Sequence, residues 1–440
     1  MTVSETARCV AVIAVLGCAA VLGQAAHAQA PLAVETFDAA WTIVRDKHFD
    51  KSLNGLDWNA VRAELQPRAA AAKNVGELRA VIREMLGRLD LSHFAVVPAT
   101  DEGDGSSSDM GDPGFDVRWI DRQVIVTEVD GEGPAAAAGV RRGWKLTSID
   151  SRRTADLLRA LPDGDSDNVV QLEAWRLVQS RLRGAPNSSL IAGFEDGGGR
   201  PVVVEIRRRS ETGQPVTVGS LPTMYVRVGS ERRQTPRGGT AGYIRFNVWM
   251  AAVDAPFQRA IDEFRRADGI VIDLRGNPGG LAAMMMGLSG HFVADRKTLG
   301  VMKTRENELR FTTNPRLVSA AGERVDPFRG PVAILIDALS GSASECFTGG
   351  MQAIGRAKVF GQTSMGQALP AQFTKLPNGD VLIHAFGDFV TGDGTRLEGR
   401  GVIPDFPVPL TREDLLAGRD RTLDAALAWI DDARGSSGRP

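Results

Sequence analysis

Cysteine is scarce in this 440-residue chain, which contains only Cys9, Cys18 and Cys346. Three cysteines exclude a disulfide framework and a cysteine-rich zinc site. Aromatic residues make up 6% of the chain, so we expect small-residue packing and not aromatic-lined grooves. An excess of one charge is also missing, since 52 Lys and Arg face 54 Asp and Glu, a formal net charge of −2. We therefore expect no nucleic-acid partner and no anionic membrane partner.

Motifs for metals and phosphates are missing as well. No Cys/His pair has the spacing of zinc ligands. The acidic stretch 101–109 lacks the pattern of a calcium loop. Gly279-Gly280 lacks the lysine of a phosphate-binding loop. The sequence therefore predicts no metal and no cofactor.

Only one long apolar run occurs, from Cys9 to Gly23 near the N-terminus. It follows Arg8 and precedes Ala26-His27-Ala28, small residues of the kind that a signal peptidase reads. The run is too short for a membrane-spanning helix. We predict a signal peptide at residues 1–28 and a secreted, periplasmic protein with no integral membrane span. A buried N-terminal helix and a lipid anchor at Cys18 are the alternatives.

The length leaves room for two to four domains. Residues 29–100 have helical periodicity, and Asn74 with Glu77 predicts the start of a helix that ends near Asp90. The Gly-, Ser- and Asp-rich stretch 101–109 is typical of a linker. Residues 101–230 begin with alternating strands followed by a short Ala-rich helix.

Residues 231–440 alternate buried strands with helices. That alternation predicts parallel strands joined by crossover helices. Asn378-Gly379, between two apolar runs, predicts a hairpin. The fold class is therefore a multidomain α/β protein.

The segment Ser340-Gly341-Ser342-Ala343-Ser344-Glu345 follows a buried strand and opens a predicted helix. A serine at such a turn is held outward, and the unpaired N–H groups of the helix start favour nearby negative charge. Ser344 is explained as a helix N-cap. The small residues around Ser342 are typical of a nucleophile that substrate approaches closely. Cys346 fits packed core better than a rival nucleophile.

Three segments, in order, are similar to motifs of the C-terminal processing (tail-specific) serine peptidases. They are Asp273 to Gly280, Ser340 to Glu345 and Gly401 to Asp405. The β-rich segment before them resembles a PDZ domain, although Trp144 replaces the usual Asp and residues 160–199 interrupt it. The resemblance implies an N-terminal helical domain (29–100), a PDZ-like domain with an insertion (101–230) and a crotonase-like or ClpP-like ββα peptidase core (231–440). The alternative for the middle domain is a small β-rich spacer.

The resemblance implies a role for individual residues. Ser342 matches the nucleophile, and the backbone N–H groups of Gly280 and Ala343 match the oxyanion hole. Gly114 and Phe115 stand where the PDZ family has its carboxylate-binding loop, which makes them substrate-binding residues. The implied partner is a polypeptide substrate.

The general base departs from the best-known pattern. Many members use a lysine in a Gly-Lys-Gly segment, and Gln367 stands at that position. Leu89 to His93, however, resembles the Leu-x-x-Ser-His element of the tricorn-type branch, in which the histidine is the base. The resemblance therefore implies His93 as base, with Ser92 and Glu398 completing a tetrad.

The sequence thus predicts a secreted serine endopeptidase that works through an acyl-enzyme on Ser342. The PDZ-like domain would present an extended chain or a C-terminal tail. Two alternatives stay open. One is an inactive peptide-binding homologue that lost the family lysine, and the other is a carrier of apolar ligands.

Overall fold

The computed structural model describes residues 31–98, 110–159, 161, 167–219 and 223–437. The predicted signal peptide and the linker 101–109 lie outside the described residues. No helix in these ranges is long and apolar enough to cross a membrane. The helices, in chain order, are α1 (31–47), α2 (Trp58–Ala70), α3 (Val75–Gly87), α4 (Pro134–Ala137), α5 (Thr154–Leu157), α6 (Asp167–Leu182), α7 (Asp254–Glu263), α8 (Met284–Ser289), α9 (Ala343–Ala353), α10 (Arg412–Leu416) and α11 (Arg421–Ser437).

The strands, in chain order, are β1 (Ala95–Val97), β2 (Gly111–Asp112), β3 (Phe115–Ile120), β4 (Gln123–Val129), β5 (Lys145–Ile149), β6 (Arg152–Arg153), β7 (Ser189–Glu195), β8 (Pro201–Arg207), β9 (Arg209–Ser210), β10 (Gln214–Val216), β11 (Met224–Val226), β12 (Val228–Gln234), β13 (Thr240–Phe246), β14 (Gly269–Asp273), β15 (Thr298–Thr304), β16 (Glu308–Thr312), β17 (Val332–Ile336), β18 (Lys358–Gly361), β19 (Ala371–Lys375), β20 (Val381–Ala385), β21 (Gly387–Thr391) and β22 (Phe406–Pro407).

The chain forms two compact units, each made from separated segments. Among the described residues, the first comprises those of 31–98, 304–307 and 371–387, and the second comprises those of 110–303, 308–370 and 388–437. The sequence-based division differs, because it assigned the whole of 231–440 to one domain. Strands β19 and β20 belong instead to the first unit, where they pair with a strand from the N-terminal segment.

The first unit packs α1, α2 and α3 around one apolar core. The predicted helix start is confirmed, since the Asn74 side chain accepts a hydrogen bond from the Glu77 N–H at 2.9 Å. The predicted hairpin is also confirmed, because β19 and β20 pair antiparallel around Asn378 and Gly379. Strand β1 pairs antiparallel with β20, and a buried ion pair of 2.7 Å joins Arg79 to Asp380.

The second unit contains two large sheets. The first is antiparallel, with the strand order β3-β4-β5-β7-β8 and with β6 added to β5. Helix α6, from the segment that interrupts the PDZ-like pattern, packs on β3, the edge strand of this sheet. A core of its own lies beneath the sheet, which is typical of a separate domain.

The second sheet has the order β12-β13-β14-β17-β18-β22 and is parallel from β13 onward. Every residue of β14 and β17 is buried, as expected of parallel strands covered on both faces. Helix α11 packs on this sheet with Leu423, Ala426, Leu427 and Ile430. The predicted mixed α/β class with parallel strands is confirmed.

His291 lies in the core of the second unit, at 1% exposure, and neither ring nitrogen has a hydrogen-bond partner among the described residues. Burial lowers its pKa from 6.5 to about 4, and the nearby Arg316 guanidinium acts in the same direction. The unfolded chain therefore takes up this proton first as the pH falls. His291 alone should therefore lower the free energy of unfolding by about 3 kcal/mol between pH 6.5 and pH 4.

Urea titrations at four pH values across this range check the His291 prediction. The variant His291→Phe keeps an aromatic ring beside Phe257 and Phe292. Its decrease in the free energy of unfolding over this pH range should be about 3 kcal/mol smaller than that of wild type. An identical loss in both proteins contradicts it.

Candidate functional site

The candidate site lies at the carboxyl ends of β14 and β17, where the loops after neighbouring parallel strands meet. The Gly341 N–H donates to the Asn277 carbonyl at 3.0 Å and so joins the two loops. Ser342 follows directly and precedes α9, with φ at +53°. A positive φ is uncommon for serine, and such strain is concentrated at functional sites.

A buried network fixes this turn. The Asn277 side chain donates to the Phe246 carbonyl at 2.9 Å and accepts from the Gly279 N–H at 3.0 Å. Ser344 Oγ donates to the Asn277 carbonyl at 3.0 Å and accepts from Trp249 Nε1 at 2.9 Å. The interpretation of Ser344 as N-cap is therefore wrong. Ser342 is the N-cap residue, and Ser344 ties the first turn of α9 to Asn277 and Trp249.

The glycine pair lies against Ser342. A Cβ built on Gly279 would come within 2.6 Å of the Ser342 Cβ, and one on Gly280 within 2.4 Å of the Trp249 carbonyl oxygen. Only glycine fits at either position, because both have positive φ. Among the described residues, neither the Gly280 N–H nor the Ala343 N–H donates a hydrogen bond within the protein. Uncommitted N–H groups beside a serine are what an oxyanion hole requires.

Glu345 is fully buried and ties the serine to a second loop. Its carboxylate accepts from the N–H groups of Ser342 at 3.0 Å, Gln367 at 3.0 Å and Gly366 at 2.7 Å, and from Ser364 Oγ at 2.6 Å. Burial raises the pKa of Glu345 to about 7, and these donors act in the opposite direction. In return, the Gln367 carbonyl accepts from the Ser342 N–H at 2.9 Å.

Sequence reasoning did not assign Glu345 a function. The signal was present, because Ser342 and Glu345 have the spacing of a capping box. In the structure, the Glu345 carboxylate accepts from the Ser342 N–H, as in a capping box. The same carboxylate also accepts hydrogen bonds from residues 364–367.

Glu398 lies beside the same loop and is buried at 7% exposure. Its Oε2 accepts from the Ala368 N–H at 2.9 Å, and the Gly399 N–H donates to the Gly366 carbonyl at 2.9 Å. The Gln367 side chain points elsewhere, with its Oε1 at 3.4 Å from Arg176 Nη2 of α6.

Ser92 and His93 lie in the first unit, in the connection between α3 and β1. Ser92 Oγ and His93 Nδ1 are 2.7 Å apart. The His93 backbone has φ at +60°, and the neighbouring Phe94 ring stacks on the buried His48 ring, with centroids 5.5 Å apart. The chain directly after His93 is therefore held in place, by this stacking of Phe94 and by the pairing of β1.

The predicted site residues thus fall into separate groups. The second unit brings together Ser342, Ala343 and the Gly279-Gly280 pair, with Glu398 beside the loop that Glu345 ties to the serine. The first unit joins Ser92 to His93. In the antiparallel sheet of the second unit, Phe115 begins the edge strand β3 and Gly114 directly precedes it, and the Gly114 N–H donates to Asp112 Oδ1 at 2.9 Å.

The described ranges contain no cluster of three or more His, Cys, Asp or Glu residues that could hold a metal ion. The Cys346 thiol is buried at 4% exposure, and burial raises its pKa, which disfavours a thiolate nucleophile.

Comparisons with known proteins give consistent matches. Residues 240–408 match the family described as Peptidase family S41, and residues 34–87 match the Tricorn protease C1 domain. Tricorn protease homolog 1 of Streptomyces coelicolor is 25% identical over 408 residues, which cover 90% of this chain and 34% of that protein. The chain thus spans about a third of the length of this relative, and 32% of a second tricorn homologue from the same organism.

Two further matches cover most of both proteins. The carboxyl-terminal-processing protease of Picosynechococcus sp. is 23% identical over 382 residues, which cover 84% of this chain and 82% of that protein. The solved structure of a photosystem II D1 C-terminal processing protease is 21% identical, with a TM-score of 0.58, and the match covers 90% of this chain and 98% of the other. The structural match shows a shared fold.

Proposed function

We propose that the chain, which matches Peptidase family S41 over residues 240–408, is a serine endopeptidase that cleaves polypeptides through an acyl-enzyme on Ser342. The observation that carries this proposal is the strained turn at Ser342, with the uncommitted N–H groups of Ala343 and Gly280 beside it. No other serine of the candidate site has both features, since Ser340, Ser344 and Ser364 are fully buried and hydrogen-bonded.

The chemistry follows from these groups. Ser342 Oγ attacks the carbon of the scissile carbonyl, and the oxygen that becomes negative accepts hydrogen bonds from Ala343 and Gly280. Each such donor is worth about 3–4 kcal/mol of transition-state stabilisation in other enzymes. The peptide amine leaves with a proton, and water then hydrolyses the ester and regenerates the Ser342 hydroxyl.

We assign the general base to His93. Its Nε2 would take the proton from Ser342 Oγ, give it to the leaving amine, and later take a proton from water. The short contact between Ser92 Oγ and His93 Nδ1 supports this assignment, because an Nδ1–H that donates to Ser92 leaves Nε2 as the acceptor. Glu398 would stabilise the charged imidazolium through Ser92, the role that the tricorn-type resemblance implies.

Incubation of the full-length protein with β-casein, an unstructured polypeptide, tests the proposal. We expect internal cleavage, and a serine-reactive fluorophosphonate should stop it while adding its mass to the peptide that contains Ser342. Absence of both cleavage and adduct, or an adduct on another serine, contradicts the proposal.

The Gln367 side chain should not be needed for catalysis. Only its main chain contacts the site, through the Ser342 N–H and the Glu345 carboxylate. We expect kcat/KM of Gln367→Ala to stay within about threefold of wild type, as for other substitutions that break no buried contact. Cleavage by Gln367→Lys alone, with wild type inactive, would instead establish the inactive-homologue alternative.

We also propose export to the periplasm, on the basis of the apolar run and the Ala26-His27-Ala28 ending. Expression of the full chain in a bacterium with two membranes should give periplasmic protein that begins at Gln29 by N-terminal mass analysis. Uncleaved protein in the cytoplasm contradicts this expectation.

A further inference from the structure

Strand β3 is the edge strand to which a PDZ-like domain would add a bound chain. Val117 lies opposite Val126 of β4. The Val126 N–H donates to the Trp144 carbonyl, and the Val126 carbonyl accepts from the Gly143 N–H, each at 2.8 Å. The N–H and carbonyl of Val117 therefore point away from β4, toward the open edge. A chain added along this part of β3 would have to pair with these two groups.

Both groups are already occupied by side chains of β3 itself. The Val117 N–H donates to Asp116 Oδ1 at 2.8 Å, and the Val117 carbonyl accepts from Arg118 Nη1 at 2.9 Å. A β-bulge between Asp116 and Val117 accompanies this arrangement. Side chains that cover an edge in this way prevent strand addition.

Neighbouring elements hold the two covering side chains in place. From α6, Trp175 Nε1 and Gln179 Nε2 donate to Asp116 Oδ1 at 2.9 and 2.7 Å. Arg118 reaches the loop after β17, where its Nε donates to Asp337 Oδ2 at 2.9 Å. Burial opposes the charge of Arg118, but Asp116 and Asp337 outweigh it and keep its pKa above the usual value. Displacing Arg118 would leave the buried Asp337 carboxylate and the half-buried Asp116 carboxylate without their cation.

The loop that would bind a terminal carboxylate is occupied as well. The Gly114 N–H donates to Asp112 Oδ1 at 2.9 Å, so an internal carboxylate uses a donor that a chain terminus would need. Asp112 and Asp116 also place negative charge near this end of β3, which disfavours a second carboxylate.

Beyond the covered part of β3, an open cleft of about 990 Å³ lies between the PDZ-like domain and residues 362, 409 and 410. Its lining includes Trp119, Leu158 and Val170 together with the amides of Gln123, Gln171 and Gln362. The cations Arg122, Lys145 and Arg159 outnumber the one lining carboxylate, Asp121. Mixed apolar and polar walls of this size suit the side chains of an extended polypeptide.

We infer that the PDZ-like domain holds an internal segment of the substrate in this cleft and does not read a C-terminal carboxylate. The inference rests on the proposed function and narrows it, because the substrate class becomes polypeptides regardless of how their chains end. The cleft would then contact side chains within the substrate chain, and the C-terminal carboxylate of the substrate would not be needed for binding.

One segment that the protein cuts in β-casein, prepared as a quenched fluorescent peptide in two forms, tests the inference. One form ends in a free carboxylate and the other in an amide, and a head-to-tail cyclised version has no terminus. We expect kcat/KM values of the two linear peptides within threefold, and cleavage of the cyclic peptide. A tenfold or larger preference for the free carboxylate, or resistance of the cyclic peptide, overturns the inference.

Failure of the proposed function gives a different result, since then β-casein is not cut at all. In that case the C-terminal segment of β-casein, labelled with a fluorophore and prepared with a free carboxylate or an amide, is titrated with the protein, and fluorescence anisotropy measures binding. Equal Kd values support the inference. A tenfold lower Kd for the free carboxylate, or no binding of either peptide, contradicts it.

A matched pair of variants tests the cleft. Val170→Asp places a charge on its apolar wall, whereas Val203→Asp changes a residue of β8 that is 71% exposed and outside the cleft. We expect a fivefold or larger rise in KM for Val170→Asp at unchanged kcat, and no change for Val203→Asp. Should Val170→Asp lower Tm, Gln171→Trp, which fills the cleft, replaces it. An unchanged KM in a folded cleft variant overturns the assignment.

Discussion

Ser342→Ala should lower kcat for polypeptide cleavage by at least about 10⁴-fold, since no acyl-enzyme can form without the hydroxyl. His93→Ala should cause a comparable loss, because the hydroxyl is a poor nucleophile without a base to take its proton. The double variant should be no worse than either single one, as expected for residues that act as a unit. Steady-state rates on a quenched fluorescent peptide give all four values.

Ser344→Ala is the matched control, since it removes a serine hydroxyl from the same helical turn. In wild type, the Ser344 hydroxyl accepts from Trp249 and donates to Asn277. For Ser344→Ala we therefore expect a loss of about 1–2 kcal/mol in the free energy of unfolding and a largely retained kcat. Wild-type turnover in Ser342→Ala would end the nucleophile assignment. If Ser342→Ala loses activity while His93→Ala keeps the wild-type kcat, another residue is the general base.

Glu345→Ala should have the next largest effect. It removes the acceptor of three backbone N–H groups and one hydroxyl, all at a fully buried position. At about 1–3 kcal/mol for each buried donor left unpaired, with partial rescue by water, we expect a loss of about 3–5 kcal/mol in the free energy of unfolding. We also expect kcat to fall by about 100-fold at little-changed KM, because the Ser342 main chain loses its fixed position.

Thr348→Val on the same helix is the control for Glu345→Ala. Thr348 is fully buried, its hydroxyl has no partner among the described residues, and valine has nearly the same shape. We expect unchanged kcat and unchanged or higher stability. Urea titration and steady-state kinetics measure both variants, and Glu345→Gln, which keeps one acceptor oxygen, should fall between wild type and Glu345→Ala. Equal behaviour of Glu345→Ala and Thr348→Val would show that Glu345 does not position the serine.

Features set by neighbouring residues were predictable from the sequence. The start of α3 at Asn74, the hairpin at Asn378-Gly379 and the parallel α/β pattern each depend on a few local residues. The small residues at Ser340 to Glu345 likewise indicated a tight strand-to-helix turn, although the N-cap is Ser342 and not Ser344.

Features that join distant segments were not predictable in this way. The pairing of β1 with β20 depends on register and burial, which no local periodicity encodes. The same holds for the contacts of Glu345 with residues 364–367, about 20 positions away. Asp112, Asp116 and Arg118 are ordinary charged residues in the sequence, and only the strand geometry shows that they cover the edge of β3.

The partnership of β1 and β20 has a consequence during synthesis of the protein. Ala95, two residues after His93, pairs with Ile383, and Arg79 forms its buried ion pair with Asp380. A nascent chain therefore cannot pair β1, next to the histidine, until β20 has also left the ribosome. Chains that terminate before β19 would contain Ser342, but β1 next to His93 would lack its partner strand β20. We therefore expect such incomplete products to be unable to cleave other proteins.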